Sequence, residues 1–293
     1  MKINVDELVD AGLVKKKEYT EGKYAGLSVL KYTKKVFFKS LWNLSDKLLE
    51  CRGTVVDQED NIIVRPFKKI FNLGENGTTV EPYSYIIAPR KINGFLGCVT
   101  RTEKYGIIYS TTGSLDSEHI SLIKKYVPEE IADKFPLDQT TMFEICDSTH
   151  PHIVYEDEGA YLIGIRNVST GDLYTEELYD YYAEEFYFRR PEVWKGRFID
   201  LPKTKREGYM IRESSWHQNT LCKIKSEFYL NKKALMRVGK NKANYMFKDP
   251  DKFKENLDEE FYPLFDKIVD KFTKEEYISL TEQERRKFIE NNL

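Results

Sequence analysis

Apolar residues follow two different spacings along this chain, and the spacing changes near residue 230. Before that point, short apolar runs bounded by polar turns predict strands, among them 27–32, 140–146 and 161–167. After it, apolar side chains recur at the spacing of one helix face, at Phe261, Leu264, Phe265, Ile268, Val269 and Phe272. We therefore predict an α+β protein, with a strand-rich domain over residues 1–229 and a small all-α C-terminal domain over residues 230–293.

Helix starts are marked in the tail by two capping boxes. Thr273 with Glu276, and Thr281 with Glu284, have the spacing at which the two side chains satisfy backbone N–H groups of a first helical turn. In the strand-rich domain, helices are predicted at 6–13, 114–125 and 176–188. The last of these is expected on the outside of a sheet.

One lysine stands between two predicted strands. The segment Arg90-Lys91-Ile92-Asn93-Gly94 separates apolar runs at 85–88 and 95–100. Asn-Gly tolerates positive φ, so the pattern predicts a hairpin that presents Lys91 at the mouth of a sheet. A desolvated lysine amine near other cations can attack phosphorus. Taken alone, a lysine in such a turn is more often an exposed surface residue.

Charged residues interrupt several of the later strands. Glu144 lies between Phe143 and Ile145, and a carboxylate buried in a strand requires a partner. An ion pair with Arg166 is the structural alternative to a functional role. Lys223 and Lys225 are two residues apart, so both ammonium groups can reach one phosphate from the same strand face. The structural alternative is that these two lysines only form an exposed strand face. Glu207, before Gly208, is another candidate for a functional carboxylate, and its structural alternative is an ordinary turn residue.

Composition narrows the class of protein. Hydrophobic residues make up 41% of the chain and charged residues 32%, with a net charge of −2, so any nucleic-acid site must be local. No apolar run approaches the roughly 18 residues of a membrane helix, and the N-terminus lacks the apolar core of a signal peptide, so we expect a cytoplasmic protein. The well-separated Cys51, Cys98, Cys146 and Cys222 predict buried, reduced thiols rather than a zinc site. His150 and His152 are interpreted as loop residues.

Five of these features occur together in a definite order. They are the K-x-N-G turn at Lys91, Phe143-Glu144, the strand at 161–167, Glu207-Gly208 and Lys223-x-Lys225. This set resembles the covalent nucleotidyltransferases, which include ATP-dependent ligases and capping enzymes. The upstream blocks ECRGTVVD at 50–57 and RPFKKIFNLGE at 65–75 narrow the resemblance to the bacteriophage RNA ligase 1 family, the tRNA-repair type, over residues 45–230.

The resemblance implies a fold and a reaction. The fold is a nucleotidyltransferase domain of the ATP-grasp-like ligase type, with antiparallel sheets and flanking helices. In the reaction, Lys91 forms lysyl-AMP from ATP, AMP passes to the 5′-phosphate of an RNA, and a 3′-hydroxyl end displaces AMP. Nicked tRNA is one candidate substrate. The protein is expected to be a monomer in the cytoplasm, which is the host cytoplasm for a phage protein.

The same resemblance assigns roles to the nucleotide-site residues. Asn93 and Gly94 shape the turn at the nucleotide, Glu144 accepts a hydrogen bond from the ribose, and Glu207 holds Mg²⁺, or Mn²⁺ in its place. Two further pairs contact phosphates: Lys223 and Lys225 bind the α-phosphate, and Arg52 and Lys69 bind the β- and γ-phosphates.

Three departures and two alternatives qualify this prediction. Family members usually carry aspartate at the position of Asn93, a small hydroxyl residue at Phe95, and a longer C-terminal domain. A DNA ligase or a capping guanylyltransferase shares the five motifs, although such enzymes usually continue into a strand-rich domain. A non-catalytic RNA-binding protein with this fold is the other alternative. Between Lys223 and Glu255, ten Lys or Arg face four Asp or Glu, which suits either RNA phosphates or an ordinary solvated helix surface.

Overall fold

The computed structural model describes residues 1–215 and 218–293. Packing divides the chain into two compact units. The first unit comprises Met1–Pro151, Glu156–Leu201 and Tyr209–Ile224, and the second comprises His152–Tyr155, Pro202–Gly208 and Lys225–Leu293. The predicted domain boundary between residues 229 and 230 stays a prediction.

Antiparallel sheets dominate the strand-rich part of the chain, as predicted. In the described residues the strands are β1 (Val14–Glu18), β2 (Ser28–Tyr32), β3 (Arg52–Val56), β4 (Ile62–Val64), β5 (Tyr85–Pro89), β6 (Phe95–Thr102), β7 (Gly106–Ser110), β8 (Gln139–Cys146), β9 (Gly159–Asn167), β10 (Val193–Arg197), β11 (Gly208–Glu213) and β12 (Thr220–Lys225). They form sheets with the orders β1-β2-β3-β4, β10-β5-β11-β12 and β7-β6-β8-β9.

Helices flank these sheets and fill the C-terminal part of the chain. Over the same described ranges they are α1 (Asp6–Asp10), α2 (Lys34–Phe38), α3 (Lys47–Glu50), α4 (His119–Tyr126), α5 (Glu129–Ala132), α6 (Glu176–Phe186), α7 (Glu227–Met236), α8 (Lys240–Lys248), α9 (Pro250–Lys254), α10 (Tyr262–Lys271), α11 (Lys274–Ser279) and α12 (Glu282–Glu290). The α+β prediction is therefore confirmed. No helix among the described residues has the length and apolar character needed to cross a bilayer.

Two sheets of the first unit share a core. Val29 and Val55 of the first sheet pack in one cluster with Cys98, Ile108 and Met142 of the third. The other face of the third sheet carries helices, because Ile123 of α4 and Tyr179 of α6 pack on Leu162 and Ile165. As predicted, α6 lies on the outside of a sheet.

The predicted hairpin around Lys91 is wrong. β5 pairs with β10 and β11 in the second sheet, whereas β6 pairs with β7 and β8 in the third. Residues 90–94 therefore carry the chain from one sheet to another instead of reversing it within one sheet.

The helix predicted from Ser114 begins at His119 instead. Residues ahead of it form a turn, in which the backbone N–H of Thr111 donates to the carbonyl of Ser114. Asp116 accepts hydrogen bonds from Lys17 at 2.7 Å and from the Tyr19 hydroxyl at 3.0 Å, which anchors this turn to β1 and its neighbouring residues.

The second unit has its own apolar core. The predicted stripe is confirmed, because Phe261, Leu264, Phe265 and Ile268 are buried together, with the remaining two members packed against them. Both predicted capping boxes are also confirmed at the starts of α11 and α12.

The four cysteines are buried free thiols. Burial raises the pKa of Cys51 and of Cys98 to about 12 and that of Cys222 to about 11. These thiols are therefore protonated and unreactive near neutral pH.

Candidate active site

Lys91 lies in the crossing between two sheets and lines a cavity of about 120 Å³ in the first unit. Its side chain is half-buried, with Nζ 3.4 Å from the carbonyl oxygen of Ile92. Three other residues predicted to bind nucleotide line the same cavity, namely Arg52, Glu144 and Lys223. The fold thus brings together side chains that are up to 171 residues apart in the chain, from Arg52 to Lys223.

The cavity combines apolar walls with charged groups. Phe67, Ile70, Leu96, Ile163 and Met210 are among its apolar lining residues. Apolar walls suit an aromatic base, and the cations Arg52, Lys91 and Lys223 in the lining suit phosphates, so the lining has the chemistry of a nucleotide pocket.

Gly94 is required here for a reason other than the predicted one. It is not among the glycines with positive φ, so the backbone does not need left-handed geometry at this position. A Cβ at Gly94 would lie 2.3 Å from the carbonyl oxygen of Ile145, so only glycine lets the crossing segment approach β8 this closely. The same approach brings the Gly94 N–H within 3.1 Å of Glu144 Oε1, to which it donates a hydrogen bond. Asn93, its neighbour, is buried.

Arg52 is placed by a second close approach. The next residue, Gly53, has a φ of +96°, and a Cβ there would lie 2.7 Å from the Cα of Thr112. Glycine therefore allows the start of β3 to pass against this neighbouring backbone. Arg52, as the first residue of β3, is thereby held at the cavity wall.

The alternative pairing of Glu144 with Arg166 is wrong. Arg166 instead donates to both carboxylate oxygens of Glu50 at 2.8 Å, and Arg65 donates to the same carboxylate at 3.1 Å. Burial raises the pKa of Glu50, but the hydrogen bonds and charges of the two arginines outweigh burial and leave that pKa below its ordinary value. Arg166 is therefore not the partner of Glu144.

Lys69 is buried and is not among the residues lining this cavity. Its Nζ lies 3.2 Å from Glu75 Oε1 and 4.1 Å from the centre of the Phe71 ring. Burial lowers the pKa of Lys69, and the contact with Glu75 only partly offsets this. A phosphate would therefore have to replace Glu75 as the partner of this lysine.

The two lysines of β12 have different partners. Lys223, in the first unit, donates to the carbonyl oxygen of Ile70 at 2.9 Å. Lys225, in the second unit, lies 3.1 Å from Glu207 and 4.8 Å from the centre of the Tyr229 ring. Convergence of both lysines on one phosphate stays a prediction.

Sequence reasoning missed a charged group at the cavity wall. Glu176, at the start of α6, accepts hydrogen bonds from both Arg190 and Arg212, and all three residues line the cavity. Glu176 and Arg212 are buried. They lie on separate elements 36 residues apart, and no spacing in the sequence marks them as partners.

Within the described residues no group of three or more His, Cys, Asp or Glu side chains is arranged to hold a metal ion.

The family profile identifies the family of the chain, and the similar solved structures show its fold. The sequence profile of the family described as RNA ligase matches residues 50–258. No curated protein sequence matches the chain. Among solved structures, an archaeal ATP-dependent RNA ligase, form 2, is similar with a TM-score of 0.58 and 14% identity, over 98% of this chain and 75% of that one. Its form 1 gives a TM-score of 0.57 and 16% identity, over 98% and 75%.

A putative ATP-dependent DNA ligase from Aquifex aeolicus is also similar, with a TM-score of 0.56 and 16% identity, over 98% of this chain and 76% of that one. At such identities the similarity shows a shared fold. That fold serves both RNA and DNA ligases, so the family profile, rather than the structural likeness, decides between the two nucleic acids.

Proposed function

Because the chain belongs to the RNA ligase family, we propose that it uses ATP to join a 5′-phosphate RNA end to a 3′-hydroxyl RNA end through lysyl-AMP. One observation carries the proposal: Lys91, Arg52, Glu144 and Lys223 line a single cavity. A covalent mechanism needs a nucleophile, and stabilising cations around the phosphate that it attacks.

The proposed reaction has three steps. The Lys91 amine attacks the α-phosphorus of ATP, so a P–N bond forms and the bond to pyrophosphate breaks. An oxygen of the RNA 5′-phosphate then attacks the same phosphorus, so the P–N bond to Lys91 breaks and AMP is joined to the RNA end. In the third step a 3′-hydroxyl attacks that 5′-phosphate and AMP departs with the bonding electrons.

Individual side chains have separate tasks in this proposal. Lys223 and Arg52 stabilise negative charge on the phosphates, and Glu144 accepts a hydrogen bond from the ribose. The Gly94 N–H, which donates to Glu144 Oε1, helps to keep this carboxylate in place. Lys69 and Lys225 contact phosphates after releasing their present carboxylate partners.

Glu207 fits a divalent ion through its carboxylate oxygens, the ligand type that Mg²⁺ and Mn²⁺ prefer. The bound ion would neutralise phosphate charge. In the structure Lys225 occupies this carboxylate at 3.1 Å, so metal binding at Glu207 would release the Lys225 ammonium for a phosphate. Glu207 would hold the ion, and Lys225 would contact a phosphate.

The finer parts of the proposal follow from the motif resemblance. We assign the chain to the bacteriophage RNA ligase 1 type, acting as a monomer in the host cytoplasm, with nicked tRNA as a substrate. The excess of Lys and Arg between Lys223 and Glu255 supports RNA binding through phosphates. Such contacts position a substrate without reading its sequence.

A sealing assay tests this function. Single-stranded RNA with a labelled 5′-phosphate is incubated with ATP and Mg²⁺, treated with phosphatase and separated by denaturing electrophoresis; joined ends keep the label and migrate apart from both the substrate and the 5′-adenylated intermediate. We expect the labelled phosphate to become resistant to phosphatase when ATP is present and the ends are RNA. Preferential use of GTP would indicate a capping enzyme, joining of only DNA ends a DNA ligase, and RNA binding without sealing a non-catalytic protein.

Glu144 and Glu207 should respond differently to metal. Loss of a metal ligand in Glu207→Ala should raise the Mg²⁺ concentration needed for half-maximal lysyl-AMP formation by about tenfold or more. Glu144→Ala loses a ribose contact, so nucleotide use should fall at every Mg²⁺ concentration with the metal midpoint unchanged. Titration of Mg²⁺ for both variants and the parent checks this; three coincident midpoints would show that the assigned roles are wrong.

A further inference from the structure

An exposed aromatic pair occurs on α2, outside the cavity already described. Phe37 is 49% exposed and Phe38 is 76% exposed, and their rings meet edge to face with centres 5.5 Å apart. Leu44, six residues further on, is 64% exposed. Single exposed apolar residues are ordinary, but three within eight residues form a patch that marks a contact surface.

The chain segment that carries this pair is basic. Residues 22–45 contain no Asp or Glu, and they carry five lysines, Lys23, Lys31, Lys34, Lys35 and Lys39. The whole chain has a net charge of −2, so this segment is a local exception. We call Lys34, Lys35, Phe37, Phe38, Lys39 and Leu44 the aromatic–basic patch. All six residues are exposed.

The patch stands on a well-packed support. Val36 and Trp42 beneath it are buried, and the Trp42 ring meets Tyr32 and Phe71 edge to face at 4.8 and 5.5 Å. Lys69, proposed above as a phosphate contact, has its Nζ 5.2 Å from the centre of the same Trp42 ring. The patch and this lysine therefore share one aromatic support within the first unit.

Among possible occupants, charge and ring chemistry favour single-stranded RNA. Surfaces that bind single strands combine cationic side chains with exposed aromatic rings. The cations bind the phosphate backbone, and the bases stack on the rings. A double helix keeps its bases stacked on one another and would not use the rings in this way.

We propose that the aromatic–basic patch binds single-stranded RNA beside the end to be joined, with bases stacked on Phe37 and Phe38 and phosphates held by Lys34 and Lys39. The inference rests on the proposed RNA-joining function and extends it to a second contact site. Such a site favours flexible RNA ends over paired ones and does not select a base sequence.

The test measures binding of a short fluorescent single-stranded RNA by anisotropy, using the full chain. F37A/F38A should weaken binding by about tenfold to a hundredfold, the effect expected when a stacking platform is lost. The control variant Y83A/Y181A removes two aromatic rings that are 72% and 61% exposed outside the patch, and should bind as the parent does. Lysyl-AMP formation, which needs no RNA, should be unchanged in both variants.

A second variant tests the basic component without changing the rings. K34Q/K39Q should reduce the slope of log affinity against log salt by about 1.4, since each phosphate contact to a single strand contributes about 0.7. Circular dichroism and gel filtration establish that each variant is folded.

Three outcomes are informative. Weaker RNA binding with lysyl-AMP formation intact supports the patch. Parental RNA affinity in both patch variants overturns it, as does loss of self-association in F37A/F38A with RNA affinity unchanged, which would indicate an interface between copies of the chain. Failure of the proposed function is distinguishable, because the unmodified chain would then form no lysyl-AMP and join no RNA.

Discussion

Lys91→Ala is expected to lose formation of the covalent protein–AMP adduct by at least about 10⁴-fold, within the range observed when a covalent nucleophile is removed. Alanine has no amine, so no P–N bond can form at this position. The consequence should be confined to the steps that pass through lysine: RNA already carrying a 5′-adenylate should still be joined by the variant. Radiolabelled ATP followed by denaturing electrophoresis measures the first effect, and joining of pre-adenylated RNA measures the second.

Lys124→Ala is the matched control, because Lys124 is a lysine of the same unit that pairs with Glu129 at 2.9 Å near the surface. This variant should form the adduct at the parental rate. If Lys91→Ala kept the adduct, another side chain would be the nucleophile. If it failed on pre-adenylated RNA as well, Lys91 would act beyond the first step.

Glu50→Gln is expected to lower the free energy of unfolding of the first unit by about 3–5 kcal/mol, the usual effect of breaking a buried ion pair from one side. The Glu50 carboxylate is the common acceptor for Arg65 and Arg166, which are 3% and 2% exposed. Glutamine preserves the shape but leaves two buried guanidinium groups without a counter-charge. Urea unfolding followed by tryptophan fluorescence suits this measurement, since residues 225–293 contain no tryptophan.

Glu59→Gln provides the comparison. Its carboxylate lies 3.7 Å from Lys2 Nζ with both side chains mostly exposed, so its loss should change the free energy of unfolding by less than about 1 kcal/mol. Equal stability of Glu50→Gln and the parent would show that the buried cluster contributes nothing to the fold.

The pH dependence of the parent follows from the same cluster. The folded-state pKa of Glu50 lies below its ordinary value, so its contribution to stability is complete above the unfolded pKa of about 4.3 and is lost as pH falls through the lower folded value. Glu50→Gln should therefore show a flatter decline in stability across that acid range.

The Glu50 cluster also has a functional consequence. Arg166 donates to the carbonyl of Pro66, and the Arg65 N–H donates to the Thr140 hydroxyl. These bonds tie the segment after β4 to β8 and β9, and this segment carries Phe67 and Ile70 to the cavity wall. The cluster thus positions part of the cavity wall, although Glu50, Arg65 and Arg166 do not line the cavity themselves.

Features that depend on residues close together in the sequence were predictable. The capping boxes at Thr273 and Thr281 were predictable because each depends on side chains only three residues from the backbone groups that they satisfy. The apolar stripe of α10 was predictable for the same reason: its period is a property of one helix.

Pairings across the chain were not predictable from single segments. The segment after β5 looked like a hairpin because strands stand on both sides of Asn93-Gly94, yet β5 takes β10 and β11 as partners, more than 100 residues later. The prediction that Glu144 has a hydrogen-bond partner is confirmed, because the Gly94 N–H donates to its carboxylate. The partner of Arg166 was not predictable, because it is Glu50, 116 residues away in the chain. The Glu176 pairs with Arg190 and Arg212 were missed for the same physical reason.

The most direct test of the central claim is the mass of the intact protein after incubation with ATP and Mg²⁺, followed by peptide mapping of any adduct. A mechanism through lysyl-AMP predicts a gain of one adenylate, retained through denaturation and located on Lys91. No covalent gain in mass, or an adenylate on a different residue such as Lys69, would contradict it.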